Sequence, residues 1–437
     1  MADYRSKCIT VDNALALVKN GDVITVGMAA AEPRQFLMNL HKIAGRVQDV
    51  TITNCLPTTP GEYLSNPAYL ASFRVESWFY TPLLRKLQSS GRVSFIPNSL
   101  HFAGQKRNAT VRTNLFIGSA SMPDADGNVT LSCSNVYETE TARQADLVIL
   151  EISPNIPRMH GDLTLRLDEI DHLIETDYFL PEFPDAPSDD KDRAIGHFIA
   201  ERIDDGDCVQ IGIGGIPNAV CEFLQDKRRL GIHTEMMTTG IMRLMKRGVV
   251  DNSQKQIDAG KSVCCFALGT QELYDYMHDN PLTEIRAGSY VNDPYVIARN
   301  DNQVSINTSI EIDLTGQCCS ESIGHLQFSG TGGQADTAVG AQNSKNGRSF
   351  IALYSTAMVK NPQTGEREEI SKIVPLLKSG AAVSLSRNDV DYVVTEHGIV
   401  RLKGQSVQKR AQALISIAHP KFHDELRAAA KEYLYWL

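Results

Sequence analysis

Apolar positions in this chain fall into two kinds of run. Short stretches bounded by Gly, Asp or Asn predict strands at residues 21–27 (GDVITVG), 50–53, 93–96, 115–117, 129–131 and 145–151. Others follow at 208–211, 263–267, 350–353 and 390–396. Longer amphipathic stretches predict helices at 11–18, 191–203 and 423–434. The first is stopped by Asn20 and Gly21, with Lys19 in its last turn facing the negative end of the dipole. Strands alternating with helices predict mostly parallel sheets, whose ligands sit beyond the carboxyl ends of the strands.

Residues 208–240, CVQIGIGGIPNAVCEFLQDKRRLGIHTEMMTTG, concentrate the signals. A strand runs into Gly212, Gly214 and Gly215, a turn that brings backbone N–H groups close to a ligand. Pro217 suits the first position of a helix, and the helix N-terminus then faces the same space, favouring negative charge. Glu235 follows a second strand at its carboxyl end. A dinucleotide fingerprint fits Gly212, Gly214 and Glu235, but Pro217 stands where the third glycine belongs, and no Gly-Lys-Ser/Thr ending marks a P-loop. Two other readings remain: Glu235 as a nucleophile beside a backbone-lined acyl site, or a plain βαβ turn with a surface glutamate.

The chain echoes itself. GDVITVG at 21–27, followed by Pro33 and Phe36-Leu37, parallels GDCVQIG at 206–212, followed by Pro217 and Phe223-Leu224; ADLVILE at 145–151 parallels VDYVVTE at 390–396. A duplicated α/β domain explains both. The stretch PEFPDAPSDDK at 181–191, with its prolines and acidic run, reads as the linker, giving domains 1–185 and 186–437.

The length suits two cores. With 43 Lys+Arg against 52 Asp+Glu the formal charge is −9, which argues against nucleic acid or an anionic membrane as partner. Nine cysteines, two adjacent pairs among them, show no metal-ligand spacing and read as reduced core residues of a cytoplasmic protein. The start at 1–7 is polar, and no apolar run is long enough to span a membrane.

Other candidates are weaker. The cluster SGTGGQAD at 329–336 can wrap amides around an oxyanion or form a flexible loop. Glu396 should emerge at a sheet edge, or pair with an arginine such as Arg401. His397 lacks a nucleophile-elbow partner, Asn292 reads as a turn residue, and Arg158 as an anion ligand or a solvated side chain.

Taken in order, GIGGIPNAV, LGIHTEMMTTG, YVNDPYVIARNDNQVSIN, GQCCSESIG, SGTGGQAD, SRNDVDYVVTEHGIVRLKG and IAHPKF resemble the family I CoA-transferases. The match is to the acetyl-CoA hydrolase/transferase branch, which contains 4-hydroxybutyrate and butyryl-CoA:acetate CoA-transferases, and it covers nearly the whole chain. The resemblance implies two similar α/β domains, each an open mostly parallel sheet flanked by helices, with the active site between them, in a homodimer. It implies Glu235 as nucleophile, carrying CoA as a glutamyl thioester in a ping-pong reaction. Gly333 would give an N–H to the oxyanion, with Asn292 and Glu396 positioning the reacting groups. Gly212, Ile213, Gly214, Gly215 and Ile216 would contact CoA, and Lys360 its nucleotide end. No metal or permanently bound cofactor is implied; coenzyme A is a substrate, alongside small carboxylic acids such as 4-hydroxybutyrate, butyrate, acetate, succinate or itaconate. An acyl-CoA hydrolase and a CoA- or dinucleotide-binding regulator are the alternatives. Thr337 and Val339 depart from the Phe and Arg common in relatives, which bears on the substrate rather than on the reaction class.

Overall fold

The computed structural model describes residues 4–361 and 364–433, so Met1, Ala2 and Asp3 of the polar start and Leu434 of the last predicted helix lie outside the described residues. The chain forms two compact units. The first comprises Met1–Pro184, Thr234–Thr239 and Lys261–Asp293; the second comprises Asp185–His233, Gly240–Gly260 and Pro294–Leu437. The units are therefore not simply the halves 1–185 and 186–437. Two segments of the second half belong to the first unit because their backbones bond there: Asn135 N–H donates to Cys265 O (2.8 Å) and Ala267 N–H to Cys133 O (2.8 Å). One of these segments carries Glu235.

The first unit is built on seven strands: β1 (Val23–Val26), β2 (Val50–Asn54), β3 (Phe73–Ser77), β4 (Val93–Phe95), β5 (Leu115–Ser121), β6 (Leu147–Ser153) and β7 (His172–Glu175). Their order is β4-β3-β2-β1-β5-β6-β7 and every pairing is parallel. All seven residues of β5 are buried, as expected of a parallel strand covered on both faces. Helix α1 (Arg34–Asn39) follows β1 and inserts Phe36 and Leu37 into the core. The predicted helix at 11–18 forms as Val11–Ala16, two residues shorter than read; Lys19 lies beyond it, its N–H bound to the Asp22 carboxylate (2.7 Å).

The second unit opens with helix α2 (Asp190–Ala200). The acidic end of the expected linker is a capping box: Asp189 accepts from the Asp192 N–H (2.8 Å) and Asp192 from the Asp189 N–H (2.9 Å). Six strands follow: β8 (Cys208–Ile211), β9 (Gly231–Ile232), β10 (Gln303–Thr308), β11 (Arg348–Ala352), β12 (Tyr392–Thr395) and β13 (Gly398–Arg401). Their order is β9-β8-β10-β11-β12-β13, parallel except for the last pair. Helices α3 (Gly215–Phe223) and α4 (Gln334–Asn343) accompany them.

The first echo joins equivalent strands. Both β1 and β8 sit where chain order reverses, with the next strand on one side and a later one on the other. The second echo does not: β6 lies two places from β1, whereas β12 lies three from β8. Parallel strands buried on both faces read alike wherever they stand, which accounts for the misleading match. Among the described residues no helix is long and apolar enough to cross a membrane.

Glu151 in β6 is fully buried, accepting N–H groups of Phe36 (2.6 Å) and Gln35 (3.1 Å) at the start of α1 and the Tyr178 hydroxyl (2.7 Å). Burial pushes its pKa up to about 7 from the usual 4.5, only partly offset by those donors. Between these values folding takes up a proton, so stability falls as pH rises through that window. Relative to Glu151→Gln, which cannot titrate, the unsubstituted protein should lose about 3 kcal/mol of unfolding free energy between pH 4 and pH 8. Urea titrations of both proteins would show it; parallel pH profiles would remove Glu151 as the cause.

Candidate active site

Glu235 sits in the first unit, just before the short strand Met236–Met237, which pairs with Phe266–Ala267. Its backbone carbonyl accepts the N–H groups of Cys265 (3.0 Å) and Phe266 (3.2 Å), fixing the main chain on which the carboxylate stands. The side chain is half-buried, and its Oε2 accepts a hydrogen bond from Asn292 Nδ2 (2.8 Å). Asn292 is fully buried and caps the short helix Gly288–Val291. Cys265 Sγ lies 3.5 Å from Asn292 Oδ1 and 3.1 Å from the Glu235 carbonyl oxygen. Burial, and then the neighbouring Glu235, push the Cys265 thiol well up, so it stays a neutral S–H donor. Its single proton has the Glu235 carbonyl oxygen as the nearer acceptor and the Asn292 oxygen as the farther one, and the Asn292 amide N–H₂ is directed at the glutamate. The Cys55 thiol, just beyond β2, is likewise raised by burial and then by Glu138 and Glu235.

The glycine turn lies in the second unit, at the carboxyl end of β8. Gly214 is the N-cap of α3 with φ 115° and ψ 179°, a conformation open only to glycine. A Cβ on Gly215 would lie 2.2 Å from the Asp192 carboxylate, which the Tyr354 hydroxyl also reaches (2.6 Å). Pro217 is the third helical residue rather than the first. It is tolerated there because no N–H of the first turn has an intrahelical acceptor. A cleft of about 240 Å³ opens here, lined by Ile213 to Pro217, by Thr308 and Ser309 at the end of β10, and by Tyr354 and Lys372. It stands where chain order reverses between β8 and β10, the position parallel sheets use for ligands.

Gly333 ends the second glycine cluster as the N-cap of α4. Thr337, one turn on, accepts from Asn307 Nδ2 (3.0 Å) and bonds Ser305 Oγ (3.1 Å) of β10, so its hydroxyl belongs to a buried polar network between helix and strand. Glu396 follows β12 with its side chain 9% exposed and accepts from the Ser355 N–H (2.8 Å), the Ser355 hydroxyl (2.8 Å) and Lys191 Nζ (3.1 Å). Burial alone would raise its pKa, but the two Ser355 donors, with Lys191 behind them, hold it below the usual range. Arg401, the partner suggested by sequence, pairs with Asp391 instead (2.8 Å). Arg158 pairs with Asp124 (3.0 Å).

The structure thus joins Glu235 to Asn292 in the first unit. In the second it sets Gly212, Ile213, Gly214, Gly215 and Ile216 at or beside one cleft, and Glu396 with Ser355 and Lys191. Lys360 is exposed at the end of strand Thr356–Lys360, in a hairpin with Arg367–Ser371, and does not line the cleft. Sequence reading missed Cys265, Ser355, Tyr354 and Lys372. Only Lys372, in the SKIVP segment just after the hairpin, offered a signal, as a cation leading into the apolar run Ile373-Val374-Pro375.

Known proteins match the chain along its length. A family model described as the acetyl-CoA hydrolase/transferase N-terminal domain matches residues 1–183, and one described as the C-terminal domain matches 269–430. The succinyl-CoA:cyclohexane-1-carboxylate CoA transferase of Geobacter metallireducens is 41% identical over 98% of this chain and 96% of its own. The 4-hydroxybutyrate coenzyme A transferase of Clostridium kluyveri is 39% identical over 97% of each. Among solved structures, RipA from Yersinia pestis matches with a TM-score of 0.89 at 36% identity, covering 98% of each chain.

The two ends of the glycine turn should respond differently to a methyl group. Gly214→Ala, forced to positive φ, should cost about 1–3 kcal/mol. Gly212→Ala, whose Cβ meets nothing within 4 Å, should change stability by no more than about 0.5 kcal/mol. Chemical denaturation of both variants checks this, and equal losses would contradict the described turn.

Proposed function

The chain belongs to the acetyl-CoA hydrolase/transferase family and is a CoA-transferase, and from that premise we propose that it moves CoA between an acyl-CoA and a short-chain carboxylate through a glutamyl-CoA thioester on Glu235. The observation that carries this reading is the hydrogen bond from buried Asn292 to the Glu235 carboxylate (2.8 Å). A glutamate is ionised at neutral pH and needs no activating base. A hydrogen bond that fixes the carboxylate lowers the orientational cost of the step.

In the first step a Glu235 oxygen attacks the thioester carbonyl, and CoA leaves as its thiolate, giving a mixed anhydride. The thiolate then attacks the glutamyl carbonyl, releasing the first acid with one oxygen from Glu235 and leaving the thioester. An acceptor carboxylate reverses both steps and returns an oxygen to Glu235. The anhydride is a high-energy species, offset by interactions with the remote body of CoA. We assign those to the turn Gly212 to Ile216 and the α3 N-terminus, with Lys360 at the nucleotide end. Gly333 is assigned an N–H donation to the tetrahedral oxyanion, and Glu396 a positioning role.

The names of these two relatives specify cyclohexane-1-carboxylate and 4-hydroxybutyrate as their acids, and a carboxylate is what the two share. We take this chain's substrates from the same class, and its working form as a cytoplasmic homodimer without a permanently bound cofactor. The free cysteines, nearly all buried, support a reducing compartment.

Glu235→Gln should cut transfer by roughly 10⁴-fold while leaving the fold intact. Incubation of the unsubstituted protein with acetyl-CoA and then borohydride should reduce the thioester and mark the Glu235 peptide in mass spectra. An unmarked peptide with full activity would end the covalent reading. CoA released without an acceptor acid, at the rate seen with one, would make the protein a hydrolase.

A further inference from the structure

Among the described residues lining the second-unit cleft, Lys372 is the single charged side chain. Its position is set by its own backbone, whose N–H donates to Ser355 O (2.9 Å) at the base of the hairpin. Its ammonium makes no hydrogen bond or ion pair among the described residues. Glu311 is the carboxylate that acts on it from a distance, and burial, outweighing that carboxylate, lowers its pKa below the ordinary lysine value. Two of the neighbouring hydroxyls have protein partners already, Tyr354 on Asp192 (2.6 Å) and Ser309 on the Glu311 carbonyl (3.0 Å). A half-buried cation without a close counter-ion is costly, and an incoming oxyanion offsets that cost. The unsatisfied N–H groups at the start of α3 open on the same space.

We propose that Lys372 is a substrate-binding residue that pairs with an oxyanion entering this cleft, either a phosphate of CoA or a second carboxylate on the tail of the acid. This rests on the CoA-transferase reading above and adds to it a charge-specific contact distinct from Lys360. Phosphate and carboxylate offer the same chemistry, acceptor oxygens bearing negative charge, and two arms of one experiment separate them.

Transfer is measured for the unsubstituted protein, Lys372→Met and Lys372→Arg, using acetyl-CoA and the phosphate-free thioester S-acetylpantetheine as donors, and acetate and succinate as acceptors. Lys372→Met should raise a KM by about 10-fold or more, with less effect on kcat, and Lys372→Arg should restore most of it. If the anion is a CoA phosphate, the loss appears with acetyl-CoA and vanishes with S-acetylpantetheine; if it is a tail carboxylate, the loss appears with succinate and vanishes with acetate. KM values within twofold throughout would overturn the proposal. A second measurement needs no variant: reductive methylation of Lys372 in the unsubstituted protein, followed by mass spectrometry, should slow in the presence of CoA or of succinate. Labelling unaffected by either would also overturn it. Failure of the underlying reading would look different, as absence of acceptor-dependent transfer in the unsubstituted protein.

Discussion

The hydrogen bond from Asn292 to Glu235 constrains the chemistry of this protein more than any other contact. A carboxylate on a mobile side chain attacks poorly, because each attempt must find its orientation again. Here the main chain of Glu235 is pinned by Cys265 and Phe266, and its carboxylate by the buried Asn292 amide, against which the Cys265 thiol also packs. None of these partners is near Glu235 in sequence. They meet because residues 234–239 and 261–293 belong with the first unit, anchored on the backbone of Cys133 and Asn135. The nucleophile is thus fixed by first-unit packing, although the residues preceding it belong to the second.

The two units share a strand-turn-helix element and use it differently. In the first, the space after β1 is occupied by the protein's own carboxylates: Glu138 accepts the Met28 N–H (3.0 Å), and Glu151 accepts the first N–H groups of α1. In the second, the carboxylate beside the start of α3 is Asp192, whose oxygens accept instead from the Asp189 N–H (2.9 Å) and the Tyr354 hydroxyl (2.6 Å), and Gly214 and Gly215 keep the backbone bare beside a cleft. A duplicated element has in this way become an internally capped copy and an open one. The open copy carries the positive character, from the α3 N-terminus and Lys372, that suits an anionic ligand.

Much of this was legible in the chain. The strands could be read because parallel strands covered on both faces are continuous apolar runs, and the glycine turn because Gly214 and Gly215 hold positions a side chain cannot take. Glu235 stood out as a polar residue at the end of such a run. Less was legible wherever the decisive partner is remote. Asn292 looked like a turn residue, Glu396 was offered Arg401 and found Lys191 and Ser355, and the acidic end of the linker proved to be a helix cap. The assignment of Glu235 to the first unit could not be read at all, since it depends on pairings more than a hundred residues apart.

Oxygen exchange tests the central claim most directly. A carboxylate acceptor labelled with ¹⁸O gives up one oxygen to the enzyme as its acyl-CoA forms, and that oxygen must remain in the nucleophile. After a limited number of turnovers with acetyl-CoA and ¹⁸O-labelled acid, the peptide containing Glu235 should be heavier by one ¹⁸O, with the label on that side chain. Product acyl-CoA formed while the Glu235 peptide stays unlabelled, or with the label on another residue, would contradict the account.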